Sequence, residues 1–116
     1  MPIGENIRQE LIRLASSSRT RTSKFTREAP CDWRPQNVLD PSTGEPFTDV
    51  GAWHFIVDCL THLTCEEIDM IVLDRPPGKS GYVLIRPGAH GRPSIYIKLD
   101  IISGAVRGRS FHDCAL

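Results

Sequence analysis

Most residues that could do chemistry in this chain gather near its C-terminus, in residues 94–113, which read S-I-Y-I-K-L-D-I-I-S-G-A-V-R-G-R-S-F-H-D. Tyr96, Lys98, Asp100, Arg107, Arg109, Ser110 and His112 supply a phenol, three cations, a carboxylate, a hydroxyl and an imidazole within seventeen positions. Cations hold a phosphate and stabilise charge that develops on it. An imidazole moves protons at neutral pH. The set suits phosphate chemistry, provided that the chain brings the side chains to one surface.

Ile95, Ile97, Leu99 and Ile101 alternate with Tyr96, Lys98 and Asp100. A period of two buries one face of a strand and leaves the other wet. Ser103-Gly104 predicts a two-residue turn, which would set Ile101 opposite Val106, Asp100 opposite Arg107 and Lys98 opposite Arg109. Val106 and Phe111 are the core-type residues of the second arm, yet an odd separation would send them to opposite faces. An isolated strand glycine marks a bulge, so one extra residue is expected near Gly108-Arg109. Tyr96, Lys98, Asp100, Arg107, Ser110 and His112 would then share the wet face. The same pattern also suits a merely solvated face, with Asp100 and Arg107 as an ordinary cross-strand pair.

The 116 residues suffice for one domain over 1–116, divided into a basic N-terminal helix and arm (1–28), a Pro-rich loop (29–49) and an α+β core (50–113). Hydrophobic residues at 40% and charged residues at 24% exclude a disordered or fibrous chain. No apolar run approaches a membrane span, and the N-terminal residues are too polar for a signal peptide, so a cytoplasmic protein is expected. Cys31, Cys59, Cys65 and Cys114 form no C-x-x-C pair, and His62-x-x-Cys65 alone does not make a zinc site, so neither metal nor cofactor is expected. The net charge of zero hides a segregation. Residues 1–28 hold six basic against three acidic side chains, residues 29–74 one against nine, and residues 75–112 seven against one. A polyanion could bind the last tract locally.

Ile7, Leu11 and Leu14 predict an amphipathic helix from residue 5 to about 17, followed by a basic arm that is either nucleic-acid-facing or solvated. Five Pro and Gly residues make regular structure improbable over 29–49, where Trp33 and Phe47 could pin the loop to the body. Trp53, Ile56, Val57 and Leu60 predict a core helix over 51–62 with Asp49 as N-cap, and His54 and His62 fall off its buried stripe. Thr64-x-x-Glu67 resembles a capping box, and residues 68–73 read as a central strand. Gly78-Lys79-Ser80 lacks the first glycine of a P-loop and precedes a strand (82–85), which excludes nucleoside-triphosphate binding of that type. The expectation is α+β: two N-terminal helices packed on a mainly antiparallel sheet of about four strands.

That order, with I-Y-I-K-L-D-I at 95–101 and G-R-S-F-H at 108–112, resembles the small ribonuclease toxins of the RelE superfamily, and more closely their MqsR branch. The resemblance covers roughly residues 50–113 and rests on Tyr96, Lys98, Ser110 and Phe111; the chain has S-F-H where that branch has S-F-K, and residues 1–48 do not align. It implies a RelE-like fold and metal-independent cleavage of mRNA, often on the ribosome, restrained by a cognate antitoxin protein. In such a reaction the ribose 2′-hydroxyl attacks the neighbouring phosphate, a base takes its proton, cations stabilise the added charge, and an acid protonates the leaving 5′-oxygen. The candidate catalytic residues are His112, Lys98, Tyr96 and Arg109, and the candidate RNA-binding residues are Lys79, Arg86, Arg107 and Ser110. Two alternatives stand beside this: a non-catalytic RNA-binding module on the same sheet, and an interaction protein whose acidic middle segment meets a basic partner.

Overall fold

The computed structural model describes residues 2–114; Met1, Ala115 and Leu116, the ends of the domain expected over 1–116, lie outside the described residues. In chain order the elements are α1 (Glu5–Ala15), β1 (Arg21–Thr22), β2 (Asp32–Trp33), α2 (Asp49–His62), β3 (Asp69–Val72), β4 (Ser80–Arg86), β5 (Ser94–Ile102) and β6 (Ala105–Cys114). The fold is α+β, with two helices on a mixed sheet of six strands. No helix among the described residues is long and apolar enough to cross a membrane.

Helix α1 buries Leu11, Leu14 and Ala15 and stops at Ser16, whose hydroxyl donates back to the Ile12 carbonyl at 2.6 Å. Such local competition for a carbonyl suits a helix end. At the start of α2 the Thr48 hydroxyl accepts from the Gly51 amide at 2.9 Å, so Thr48, not Asp49, is the N-cap. Asp49 instead accepts from the Trp33 indole and the Gln36 amide, each at 3.1 Å. The capping box at Thr64 and Glu67 is formed, with the Thr64 amide donating to the Glu67 carboxylate at 2.9 Å.

Strands β3 to β6 form an antiparallel meander in the order β6-β5-β4-β3. Tyr82, Leu84, Ile95, Ile97, Leu99, Val106 and Phe111 meet the helices in one core. The bulge falls where the odd spacing requires it: Leu99 faces Gly108 and Lys98 faces Ser110, leaving Arg109 as the extra residue. Lys98 is therefore opposite Ser110 rather than Arg109.

Three expectations are corrected. Strand β3 is an edge strand, not a central one. The arm after α1 is neither free nor solvated throughout, because β1 pairs in parallel with β6. The Pro-rich segment contributes β2, also parallel to β6. Six strands thus replace the expected four, and two of them lie between the helices. Trp33 explains the second pairing: it stacks on Trp53 at 5.0 Å and tilts against Phe111 at 5.4 Å, an apolar anchor that brings its backbone onto β6. Phe47 pins the rest of the segment edge-on to Phe111 at 5.0 Å.

Candidate functional site

Cross-strand partners share a face, so the register places Tyr96, Lys98, Asp100, Arg107, Ser110 and His112 together on the side of β5 and β6 away from the helices. This is the grouping expected from the sequence, but only part of it is wet. Asp100, Arg109 and Ser110 are 2%, 3% and 5% exposed.

Asp100 is the reason. Its carboxylate takes a fork of bonds from Arg107, one from Nε at 2.9 Å and a second, shorter one from Nη2. It also accepts from Nη1 of Arg109 at 3.1 Å. The rest of the Arg109 guanidinium is used by backbone: Nε donates to the Pro30 carbonyl at 3.0 Å and Nη2 to the Arg75 carbonyl at 2.5 Å. A guanidinium presents its donors in a fixed plane, so Arg109 bolts the arm before β2 and the turn after β3 onto the hairpin. Arg107 and Arg109 are thus first of all the counter-charges of a buried carboxylate.

Lys98 is different. Among the described residues it makes no side-chain hydrogen bond or ion pair. It is half-buried and lines a cleft of about 320 Å³ with Pro30, Leu73, Asp74, Arg75 and Arg109. With Arg109 paired to Asp100, Lys98 and Arg75 outnumber the one carboxylate of the lining, Asp74, so the cleft keeps a positive balance and an ammonium with unused donors, which suits an anion.

The imidazole lies one cross-strand pair further along. His112 stacks on its partner Tyr96, ring centres 5.3 Å apart and planes inclined by 19°. Nδ1 of His112 is 2.9 Å from the Asp113 carbonyl, an acceptor only, which assigns the proton of that nitrogen to the bond. Nε2 is therefore the nitrogen left for proton exchange, and it faces a carboxylate oxygen of Asp32 at 3.5 Å. Asp32 is in turn held by the Arg34 guanidinium at 2.5 Å. Burial raises the pKa of the Tyr96 phenol, with a smaller contribution from Cys114, so the phenol keeps its proton across the neutral range. Cys31, under the same arm, is likewise pushed up by burial, against the lowering influence of Arg109 and Arg107, and stays a thiol.

The remaining expected residues lie elsewhere. Arg86 pairs with Ile95, so it projects from the helix side of the sheet, where it meets Cys59 and borders a groove with His62 and Glu67. It does not join the hairpin group. Lys79 is exposed in the β3–β4 turn, the turn whose Arg75 lines the Lys98 cleft. Three participants were not legible from the sequence: Asp32, Pro30 and Arg75. Each arrives through a long-range contact, and no local spacing announces it. Among the described residues no three His, Cys, Asp or Glu side chains converge as a metal site would require. The chain matches no protein-family model, and no curated protein or solved structure is detectably similar to it.

Proposed function

We propose that this protein is an endoribonuclease that cleaves RNA through the substrate's own 2′-hydroxyl, at a site formed by Lys98, Tyr96 and His112 with Asp32. The observation that carries this reading is the His112 imidazole: one ring nitrogen is bonded to a backbone carbonyl, the other is 3.5 Å from a carboxylate, and the ring sits one pair from an uncommitted lysine. In this reading Nε2 of His112 takes the proton of the 2′-hydroxyl, and Asp32 stabilises the imidazolium that results. Lys98 stabilises the charge gathering on the phosphorus oxygens. The Tyr96 hydroxyl, kept protonated by burial, donates to the leaving 5′-oxygen, and the imidazolium proton returns to it through solvent. The products are a 2′,3′-cyclic phosphate and a 5′-hydroxyl.

The biological setting proposed is that of a toxin acting on mRNA in the cytoplasm and restrained by a cognate antitoxin, on the strength of the resemblance of residues 95–101 and 108–112 to MqsR-type toxins. Arg107 and Arg109 act in this reading by fixing the hairpin, and RNA contacts outside the cleft fall to exposed cations such as Lys79. Induced expression tests it: the wild type should arrest growth and fragment cellular RNA, and His112→Ala should do neither. Arrest by both forms with intact RNA would favour the non-catalytic binding module.

A further inference from the structure

The chain between β1 and β2 is longer than its path requires. β1 ends with Thr22 opposite Arg107, and β2 begins with Asp32 opposite Ser110, so only Gly108 and Arg109 separate the two pairings on β6. Residues 23–31 must bow out from the sheet edge between those points. The bow is nonetheless built. The Thr26 amide donates to the Ala29 carbonyl at 3.3 Å, the Ala29 amide to the Thr26 hydroxyl at 3.0 Å, and the Cys31 thiol reaches the Lys24 carbonyl across the loop at 3.6 Å. Ala29 is fully buried, and Pro30 is bolted to Arg109.

The foot of this loop is part of the site, since Pro30 lines the Lys98 cleft and Asp32 faces His112. Its tip carries Phe25, 63% exposed, between Lys24 and Arg27, both exposed. Glu28 is the one acidic residue of the loop and leaves it with a net positive charge. A large aromatic ring held out on a tethered loop, flanked by cations and rooted at a cationic cleft, is the combination that binds single-stranded nucleic acid: bases stack on the ring while cations follow the backbone.

We propose that residues 23–31 are a substrate-gripping loop, in which Phe25 stacks on a base of single-stranded RNA flanking the scissile phosphate and Lys24 and Arg27 contact the adjoining phosphates. This rests on the proposed function for the identity of the polymer. It adds the requirement that the substrate extend beyond the nucleotides in the cleft. The loop belongs to the part of the chain outside the resemblance to the toxins.

The test measures binding of a fluorescent single-stranded oligoribonucleotide to the His112→Ala protein, so that cleavage does not interfere, with cleavage by the wild type measured alongside. Phe25→Ala should weaken binding about 5- to 150-fold, the range that base–aromatic stacking commands. That loss should vanish on an oligomer whose bases are replaced by abasic sites. Lys24→Ala with Arg27→Ala should reduce the steepness of log K against log salt by about 1.4, the share of two phosphate contacts on a single strand. Thermal unfolding should be unchanged by all three substitutions, because the side chains are exposed. Binding within twofold of the parent for Phe25→Ala, or an equal loss on the abasic oligomer, would overturn the loop's role. If the oligomer binds with this signature but the wild type does not cut it, the nuclease reading falls and the loop stands. If no RNA binds, the loop proposal falls, and Phe25 is left as a contact for a protein.

Discussion

Asp100 decides how the cations of the hairpin are divided. It is 2% exposed and shared by Arg107 and Arg109, so its removal would leave a guanidinium that is itself 3% exposed without a counter-charge. Breaking a buried pair from one side costs about 3–5 kcal/mol. Asp100→Ala should lose that much stability in chemical denaturation, whereas Lys98→Ala, which breaks no bond, should stay within about 0.5 kcal/mol of the wild type. Equal melts for the two would mean that Asp100 has no such role. The Cys59 thiol makes a pH-dependent prediction. Burial pushes it from the ordinary 9.0 to about 11, partly offset by Arg86. The folded state holds the proton more tightly than the unfolded chain does, so this contribution is fully present below pH 9 and is lost as the pH rises towards 11. Stability should fall across that window, and Cys59→Ala should flatten the fall; an unchanged slope would place its cause elsewhere.

Between elements, the decisive contact is that of β2 with β6. A Cβ added at Gly108 would lie 2.3 Å from Cζ3 and 2.6 Å from Cε3 of Trp33, a ring wedged between Trp53 and Phe111 that has little room to retreat. Overpacking of this kind costs about 1–3 kcal/mol. Gly108→Ala should therefore lower stability by that amount and, by lifting β2, move Asp32 away from His112 and reduce RNA cleavage; wild-type cleavage and stability would contradict it. Gly108 also marks the boundary of what the sequence made legible. The odd spacing of Val106 and Phe111 predicted the bulge, because face and register follow from a local period of two. The same glycine also makes room for Trp33, which lies seventy-five residues earlier, and no local pattern carries that. For the same reason β1 and β2 escaped notice: two-residue strands have no periodicity, and the pairing of β2 is set by a tryptophan finding a pocket. The candidate site divides along this line. Tyr96, Lys98, Ser110 and His112 were found by alternation, Asp32 was not, and the burial of Arg109 follows from an arm and a turn folding over a face that alternation alone would leave wet.

Over the whole molecule, zero net charge conceals a basic C-terminal tract against an acidic middle. The hairpin supplies Asp100 as its own counter-charge and takes one carboxylate, Asp32, from the acidic middle, while Lys98 keeps its donors for an anion. RNA should bind more weakly as salt rises despite the neutral total, and Lys98→Ala should reduce the slope by about 0.7, one phosphate contact on a single strand. Salt-independent binding would argue for a protein partner at this surface. The two N-terminal pairings give the molecule its other distinguishing trait, since an arm that could have been solvated becomes a wall of the cleft and carries Asp32 to the imidazole. The whole account converges on His112, and the most direct measurement is the rate and end chemistry of cleavage of a single-stranded RNA by the wild type and by His112→Ala in the presence of EDTA. The account predicts 2′,3′-cyclic phosphate ends from the wild type and a loss of about 10²- to 10⁴-fold for the variant, the usual share of general acid–base catalysis; cleavage by His112→Ala at the wild-type rate, or 3′-hydroxyl ends, would contradict it.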